Sequence, residues 1–305
     1  MLLHAANTNA VTYPQVKQSR NQFSCEKYEN VFSGINFSPF PSNQHPGRDP
    51  HIDRSIVIKR IQQIQYCTDH IRTFTVRHGA DVTADIAAEY NLRITPGAWL
   101  SRDHQGNIEA IDTLIDTAKR HPGNINSAII GSENLLRDEL SAVQIVNYLR
   151  YARAQLGNMP VNIGYADSHD MLKKHPEIIQ EVDSVYVNFY PYWEGYSVEN
   201  SIAALDRNYR SLLLLTGSKP VIISETGWPS CGETLGRAVP SPENSARYLQ
   251  GFLAWAEQNK VPYFYFSAFD ASWKAEDEGP QGACWGILNE MRVIKPQIDH
   301  VLQLQ

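Results

Sequence analysis

The feature that most constrains the fold is an eightfold alternation of short apolar runs with longer amphipathic segments. The apolar runs begin with VFSGINF and end with PYFYFSAF, and they cover residues 31–37, 70–76, 93–100, 126–133, 160–166, 183–190, 219–225 and 262–269. Between them, apolar residues recur every three to four positions, and several segments begin at Ser, Asp or Asn, which indicates capped helices. The chain therefore alternates between strand and helix.

Strands that are apolar almost throughout are typical of a parallel sheet that helices cover. Eight such units in about 250 residues match a closed barrel better than an open, doubly wound sheet. The open sheet would carry a glycine-rich phosphate loop after its first strand, but GINFSPFPSN lacks the GxGxxG spacing. We therefore predict an α/β chain, with an N-terminal extension over residues 1–30 and a single (β/α)8 TIM barrel over residues 31–305.

The charge pattern excludes polyanionic partners. The formal net charge is −6, and the Lys and Arg residues are scattered along the sequence rather than clustered. Neither nucleic acid nor a membrane span is therefore expected, since no apolar run approaches the roughly 18 residues that a span requires. The ten His residues show no HExxH or similar ligand spacing, so we expect no metal and no cofactor.

Two carboxylates lie where strands of the predicted barrel end. The fourth run ends with Glu133 in IIGSENLLR, and the seventh ends with Glu225 in IISETGWPS. Chemistry in this fold takes place at the carboxyl ends of the strands, so the two acids should share one mouth of the barrel. Such a pair is typical of a retaining glycosidase, in which one acid protonates the leaving oxygen and the other attacks.

Aromatic residues surround the same predicted mouth. They lie at the ends of strands or in the loops that follow: Trp99, Tyr190, Tyr192, Trp193, Trp228, Phe269, Trp273 and Trp285. Sugar rings stack on such side chains, although each ring could equally close the barrel top as part of the core. Polar neighbours interrupt the set, which favours a carbohydrate-binding trough.

At these residues the chain resembles glycoside hydrolase family seventeen, the β-1,3-glucanases and β-1,3-glucanosyltransferases of clan A. The resemblance covers about residues 31–300, and ISETGWPSCG is similar to the family's segment around the nucleophile. It implies that Glu225 is the nucleophile and that Glu133, in the other similar segment, is the acid/base. Weaker likenesses are GINFSPF, IRTFTV, VNFYPYWEG, YFSAFDASWK and CWGIL, while GAWLSRD and GRAVPSPENSAR are most similar to bacterial members.

Further substrate-site residues follow from this resemblance and from the strand ends. Arg72 is expected to hydrogen-bond the nucleophile, although an ordinary ion pair at the barrel base is the alternative. The hydroxyl of Tyr190 is expected to orient the nucleophile, unless Tyr190 is a core residue. The other candidates for substrate binding are Asn36, Asp270 and Lys274.

The chain departs from the family's pattern at two positions. Ser132 stands where the clan usually has an Asn that hydrogen-bonds the 2-hydroxyl of the reacting sugar. Ser132 remains a candidate for substrate binding, but its shorter side chain would reach that hydroxyl less directly. Ala271 replaces an acid that many members carry in an FDE segment.

The four cysteines are too widely spaced for a zinc knuckle or a CxxC redox motif. They are either thiols or partners in one or two disulfides. Cys231 and Cys284 lie in the loops after the seventh and eighth strands, which adjoin in a barrel, and they are therefore the preferred pair. Cys25 and Cys67 are the remainder.

The function that these observations predict is retaining hydrolysis of laminarin-like β-1,3-glucan, with endo action favoured. A β-1,3-glucanosyltransferase would use the same carboxylates, and an inactive glucan-binding barrel would account for the departures at Ser132 and Ala271. We expect a monomer whose partner is a β-glucan. We also expect a secreted or periplasmic location, although the sequence begins without a recognisable signal peptide.

Overall fold

The barrel is closed by a strand that proline interrupts. The computed structural model describes residues 25–48 and 50–304 and contains parallel strand segments in the order β3-β2-β1-β9-β8-β7-β6-β5-β4. The segments are β1 Ile35–Asn36, β2 His70–Arg72, β3 Arg93–Thr95, β4 Gly97–Ala98, β5 Ser127–Ser132, β6 Asn162–Ser168, β7 Ser184–Phe189, β8 Val221–Thr226 and β9 Tyr263–Tyr265. Only Pro96, which lacks an N–H group, separates β3 from β4. The order thus starts and ends on the two halves of one strand, and the predicted eight-stranded barrel is confirmed.

Helices follow the strands and cover the outside of the barrel. Within the described residues they are α1 Arg54–Ile64, α2 Val82–Glu89, α3 His104–Arg120, α4 Ala142–Leu156, α5 His169–Lys174, α6 Pro176–Glu181, α7 Val198–Thr216, α8 Pro242–Asn259, α9 Ala275–Glu278 and α10 Pro296–Leu302. The chain between β6 and β7 forms two short helices, α5 and α6, instead of one. Pro176 is the cause, because it disfavours helical geometry at His175, whose φ and ψ are −125° and 63°.

Local sequence signals set where the long helices begin. Ser141 precedes α4 in a capping box, in which its side chain accepts from the N–H of Gln144 and the Gln144 side chain returns to the backbone of Ser141. Ser241 caps α8 in a similar way, and Pro242 occupies the first helical position, where no N–H is needed. These caps start each helix at a fixed distance from the preceding strand end.

A small apolar cluster lies inside the barrel. It consists of Ile129, Ala166, Tyr186 and Phe264, contributed by β5, β6, β7 and the segment of β9. Tyr186 lies two residues before Asn188 on β7 and therefore on the same inner face, from which Asn188 reaches the two carboxylates. The cluster therefore provides an apolar floor, above which the polar residues of the strand ends are held.

Two disulfides join distant parts of the chain. Cys231 and Cys284 are bonded, with a Cα–Cα distance of 5.6 Å, as the adjoining loops predict. Cys25 and Cys67 form the second disulfide, with a Cα–Cα distance of 5.1 Å. The first links the loops after β8 and β9 at the mouth. The second fixes the start of the described chain at the opposite end, just before β2.

Replacing both Cys231 and Cys284 with Ser is expected to lower the free energy of unfolding by about 3 kcal/mol. The physical reason is that the crosslink spans a sequence separation of 53 residues, so its loss frees the unfolded chain. Thermal unfolding without reductant measures the effect. The parent protein in reductant is the control, and its unfolding temperature should fall at least as far because both disulfides open. Equal unfolding temperatures for parent and variant would contradict the prediction.

Candidate active site

Glu225 lies near the end of β8 and is surrounded by hydrogen-bond donors. Its Oε1 accepts from Arg72 Nη1 at 2.7 Å, from Asn188 Nδ2 at 3.1 Å and from the hydroxyl of Ser132 at 3.5 Å. Its Oε2 accepts from the hydroxyl of Tyr190 at 2.8 Å. The carboxylate is buried, so these donors replace the water that it loses. They also fix its orientation towards the mouth.

Arg72 holds Glu225 from below. The guanidinium is fully buried, and Nη1 also donates to Oδ1 of Asn36 at 2.9 Å. Its planar face covers the ring of Phe74, with 4.5 Å from Cζ to the ring centroid. A buried ion pair needs such additional partners to offset the cost of removing both charges from water. The contact predicted between Arg72 and the nucleophile candidate is therefore present.

Asn36 lies beneath Arg72 and has no polar atom left for a ligand to approach. Its amide Nδ2 donates to the carbonyl oxygens of Ser224 at 2.9 Å and Phe264 at 3.2 Å, while its Oδ1 accepts from Arg72. The side chain is buried. The structure places Asn36 as a support for Arg72, and a direct contact with substrate stays a prediction.

Glu133 follows β5 in an unusual backbone conformation. Its φ is 54°, and Gly131, two residues earlier, has a φ of 87°. The register of β5 against β6 shifts between Ile129 and Ser132, and the N–H of Glu133 donates to the carbonyl of Ala166 at 2.8 Å. A left-handed conformation at a residue other than Gly costs on the order of 1 kcal/mol. This local bend directs the Glu133 side chain to the mouth.

Asn188 joins the two acids. Its Nδ2 lies 2.8 Å from Oε1 of Glu133 and 3.1 Å from Oε1 of Glu225. These carboxylate oxygens are therefore no further apart than the sum of the two distances, 5.9 Å. Retaining glycosidases have carboxyl groups about 5 to 5.5 Å apart, whereas inverting ones leave about 6.5 Å or more for a water molecule. This limit applies to one oxygen of each carboxylate, and it places both acids close enough to act on one glycosidic bond.

The surroundings of Glu133 raise its pKa to about 7. Burial is the largest cause, and the charge of Glu225 is the next, with a smaller contribution from Asp167. The hydrogen bond from Asn188 and the charge of Arg137 act in the opposite direction. A carboxyl group that keeps its proton near neutral pH is suited to general acid catalysis.

Asp167, at the end of β6, anchors the loop that follows Glu133. It accepts from the hydroxyl of Tyr165 at 2.6 Å and from the N–H groups of Leu135 at 3.2 Å and Ser168 at 2.8 Å. The side chain is fully buried, and burial raises the pKa of Asp167. Its hydrogen bond to Leu135 ties β6 to the residues directly after the candidate acid.

Two of the predicted aromatic residues present exposed rings. Trp99 is 41% exposed, and the guanidinium of Arg137 lies 4.4 Å from its ring centroid. Trp193 is 40% exposed and packs against Trp285, with 5.9 Å between ring centroids. Arg137 also approaches Glu133 to 3.8 Å, so Trp99 lies on the side of the candidate acid. These two rings are available for stacking on sugars.

Other predicted aromatic residues lie within the packed mouth. Trp228 is buried, and its indole N–H donates to the carbonyl of Val239 at 3.1 Å. Phe269 is buried beneath the guanidinium of Arg60, which is 4.0 Å from its ring centroid. Trp285 is buried edge-on against Tyr190, with 5.2 Å between centroids. They wall the mouth, and substrate contact by these rings stays a prediction.

The remaining candidates lie in the loop after β9. Asp270 is buried and pairs with Lys295 Nζ at 2.7 Å, so its charge is already used within the protein. Lys274 pairs with Glu278, and its Nζ is 5.1 Å from the ring centroid of Phe266. Trp273 is half-buried. For these three residues as well, contact with substrate stays a prediction.

Sequence reasoning missed Asn188, Ser224 and Arg137. Asn188 was detectable from strand alternation, because residues two apart on a strand share a face and Tyr190 was already assigned to the mouth. Ser224 immediately precedes Glu225, and its hydroxyl donates to Oδ1 of Asn188 at 2.6 Å. Arg137 lies in a loop, where no periodicity shows which way a side chain points.

Within residues 25–48 and 50–304, no group of His, Cys, Asp or Glu side chains is arranged as metal ligands would be. The helices of this part of the chain include none that is long and apolar enough to cross a membrane.

The fold and the site are those of a glycoside hydrolase, since two carboxylates meet at the carboxyl ends of the strands of a β/α barrel. This chain belongs to the BtgE/BtgC glycoside hydrolase domain family, whose model matches residues 34–286. A solved structure titled as the glycoside hydrolase family 17 β-1,3-glucanosyltransferase from Rhizomucor miehei is similar, with a TM-score of 0.78 and 27% identity, covering 88% of this chain and 97% of that one. The predicted membership of family seventeen is confirmed, while the likeness to bacterial members stays a prediction.

Curated relatives have related names. The probable glucan endo-1,3-beta-glucosidase btgC of Aspergillus fumigatus is 27% identical over 302 residues, which is 87% of this chain and 43% of the relative. A glucan 1,3-beta-glucosidase of Candida albicans is 26% identical over 229 residues, which is 68% of this chain and 74% of the relative. The chain thus spans less than half the length of the btgC relative that it matches. An endo-laminarinase from Formosa shares the fold, with a TM-score of 0.70 and 16% identity.

Proposed function

We propose that this chain is a retaining glycoside hydrolase that cleaves β-1,3-glucan, with cleavage inside laminarin-like chains. The observation that carries the proposal is the pair of carboxylates, Glu133 and Glu225. Their Oε1 atoms, which both accept from Asn188, are at most 5.9 Å apart, and the surroundings of the two groups differ. Glu225 is held by Arg72 and Tyr190, whereas the pKa of Glu133 is raised to about 7. The names of the btgC and Candida relatives support β-1,3-glucan as the substrate.

In the first step, Glu225 attacks the anomeric carbon and Glu133 gives its proton to the leaving glycosidic oxygen. A covalent glycosyl-enzyme forms, and the shortened glucan leaves as an alcohol. In the second step, Glu133, now ionised, takes a proton from water, and the resulting hydroxide attacks the same carbon from the opposite face. The bond to Glu225 breaks, and two inversions give net retention.

The second candidate is a β-1,3-glucanosyltransferase, in which a sugar hydroxyl replaces water in the second step. The similarity to the Rhizomucor miehei enzyme supports it, because the two structures correspond over 97% of that chain. The exposed ring of Trp99 supports it too, because it lies on the side of Glu133, where an acceptor sugar would have to approach. An inactive glucan-binding barrel is the third candidate.

A time course of laminarin digestion distinguishes these functions. We expect a ladder of oligosaccharides of all sizes from the earliest time points, which is the pattern of endo hydrolysis. Glucose as the sole early product would indicate exo action, and products longer than an oligosaccharide substrate would indicate transfer. No turnover of any β-glucan, with binding retained, would overturn both enzymatic proposals. Protein carrying Glu225→Gln, prepared identically, controls for contaminating glucanases.

The two disulfides support a location in an oxidising compartment, and we propose that the protein is secreted or periplasmic. It acts there as a monomer on its glucan. Size-exclusion chromatography with light scattering would test the monomer.

A further inference from the structure

We propose that Asn188 is a positioning residue that holds the two carboxylates at the separation needed for retention and sets the upper pH limit of catalysis. The inference rests on the proposed function, because it assigns Asn188 a role in the same two-carboxylate reaction. Its basis is the geometry of the Asn188 amide between the two acids.

The Asn188 amide is fully bonded and can point only one way. Its two Nδ2 hydrogens go to Glu133 at 2.8 Å and Glu225 at 3.1 Å, and its Oδ1 accepts from the hydroxyl of Ser224 at 2.6 Å. The reverse orientation would place an oxygen against two carboxylate oxygens. The side chain is buried, so water cannot take over its hydrogen bonds unless removal of the amide leaves a cavity. One rigid group thus spans both acids.

This bridge stabilises the ionised form of Glu133. A hydrogen bond donated to a carboxylate favours its charged state, and the donation from Asn188 lowers the pKa of Glu133 against burial and against the charge of Glu225. Without the bridge, the two carboxylates would face each other with one fewer donor between them. Glu133 should then keep its proton to a higher pH.

The groups around Glu133 come from several elements. Glu225 faces it from β8 and Asp167 from β6, and both favour its protonated form. Arg137, on the loop after β5, favours the ionised form. Tyr190 follows β7, and burial together with both acids raises its pKa well above the usual value, so it stays neutral over the working range. Asn188 contacts both acids directly and carries no charge of its own.

The test compares the pH dependence of kcat/KM on laminarin for Asn188→Leu and the parent. Leu has nearly the same shape as Asn but no donors. In the parent, kcat/KM should fall above a pH of about 7, where free Glu133 loses its proton. In the variant the fall should occur about one pH unit higher, with a lower plateau, because one charge-assisted hydrogen bond contributes about that much.

Val187→Ala is the matched control. Val187 is the buried neighbour on the same strand, and its side chain points to the other face. It should lower the unfolding temperature and leave the pH limit in place. A merely structural role for Asn188 would make both variants behave alike, and an unchanged pH limit in Asn188→Leu would overturn the proposal.

A second measurement needs no turnover. Carboxyl-labelled Glu observed by ¹³C NMR, with Glu133→Gln used to assign the signal, gives the titration midpoint of Glu133 directly. We expect a higher midpoint in Asn188→Leu and a lower one in Glu225→Gln, which removes a neighbouring charge. If Asn188→Leu does not fold, Ser224→Ala can be used instead. It removes only the hydroxyl that donates to Asn188 Oδ1, and it should shift the Glu133 midpoint less, in the same direction.

The two readouts separate the possible failures. If the parent turns over no β-glucan, the proposed function is wrong, but the titration still decides whether Asn188 controls Glu133. If the parent is active and the titration midpoint of Glu133 moves in neither Asn188→Leu nor Ser224→Ala, the proposed function stands and the proposed role of Asn188 is wrong.

Discussion

Glu225→Ala should lower kcat/KM for laminarin by about 10⁵-fold, because removing a nucleophile abolishes the covalent route. Azide should partly restore turnover of an activated aryl β-glucoside oligomer. It fits into the space that the carboxylate leaves and attacks the anomeric carbon directly from the face of Glu225. One inversion from a β-linked donor gives an α-glycosyl azide, which NMR of the product identifies.

The stereochemistry of this product decides the assignment. A β-azide from the Glu225 variant would mean that Glu225 is not the nucleophile. Glu257→Ala, at an exposed site on α8, is the matched control for loss of a carboxylate and should keep full activity. Circular dichroism of both variants shows whether each is folded.

Glu133→Ala should lower hydrolysis of laminarin by about 10³-fold, because the sugar leaving group then has no proton donor. The first step on an activated aryl substrate should survive, since that leaving group needs no proton, and the glycosyl-enzyme should accumulate. Azide needs no general base, so it should attack this intermediate and give a β-glycosyl azide. Mass spectrometry of the intact protein measures the intermediate.

An α-azide from the Glu133 variant would reverse the two roles. If azide rescued neither variant, in folded protein with an active parent, the pair would lose its support as the catalytic machinery.

The positions of Glu133 and Glu225 were predictable because barrel geometry brings strand ends together, however far apart they are in the sequence. The same rule placed Tyr190, and the resemblance to the family implied Arg72; their contacts with Glu225 are 2.8 Å and 2.7 Å. The positions of strand ends also made Cys231 and Cys284 the preferred pair for a disulfide, and they are bonded. For Glu133 and Glu225, a place at the end of a strand was sufficient to bring both to one mouth.

Other features depend on how side chains compete for the same space, and strand position does not reveal that. Trp228 and Phe269 are at the mouth as predicted, yet neighbouring groups cover their rings. Asp270 carries a charge that could bind a ligand, but Lys295, which is 25 residues away in the sequence, pairs with it. The amide of Asn36 bonds backbone carbonyls and Arg72, which its strand position did not reveal, and its contact with substrate stays a prediction.

The left-handed backbone at Glu133, with a φ of 54°, has an evolutionary consequence. Gly and Asn adopt this conformation more readily than Glu, so selection for folding alone would favour them at position 133. If Glu133 is the acid/base that we propose, selection for turnover would maintain a Glu there. Descendants of this barrel that had turned from cleaving glucan to binding it would be expected to lose this side chain early, and Gly or Asn at this position would mark them.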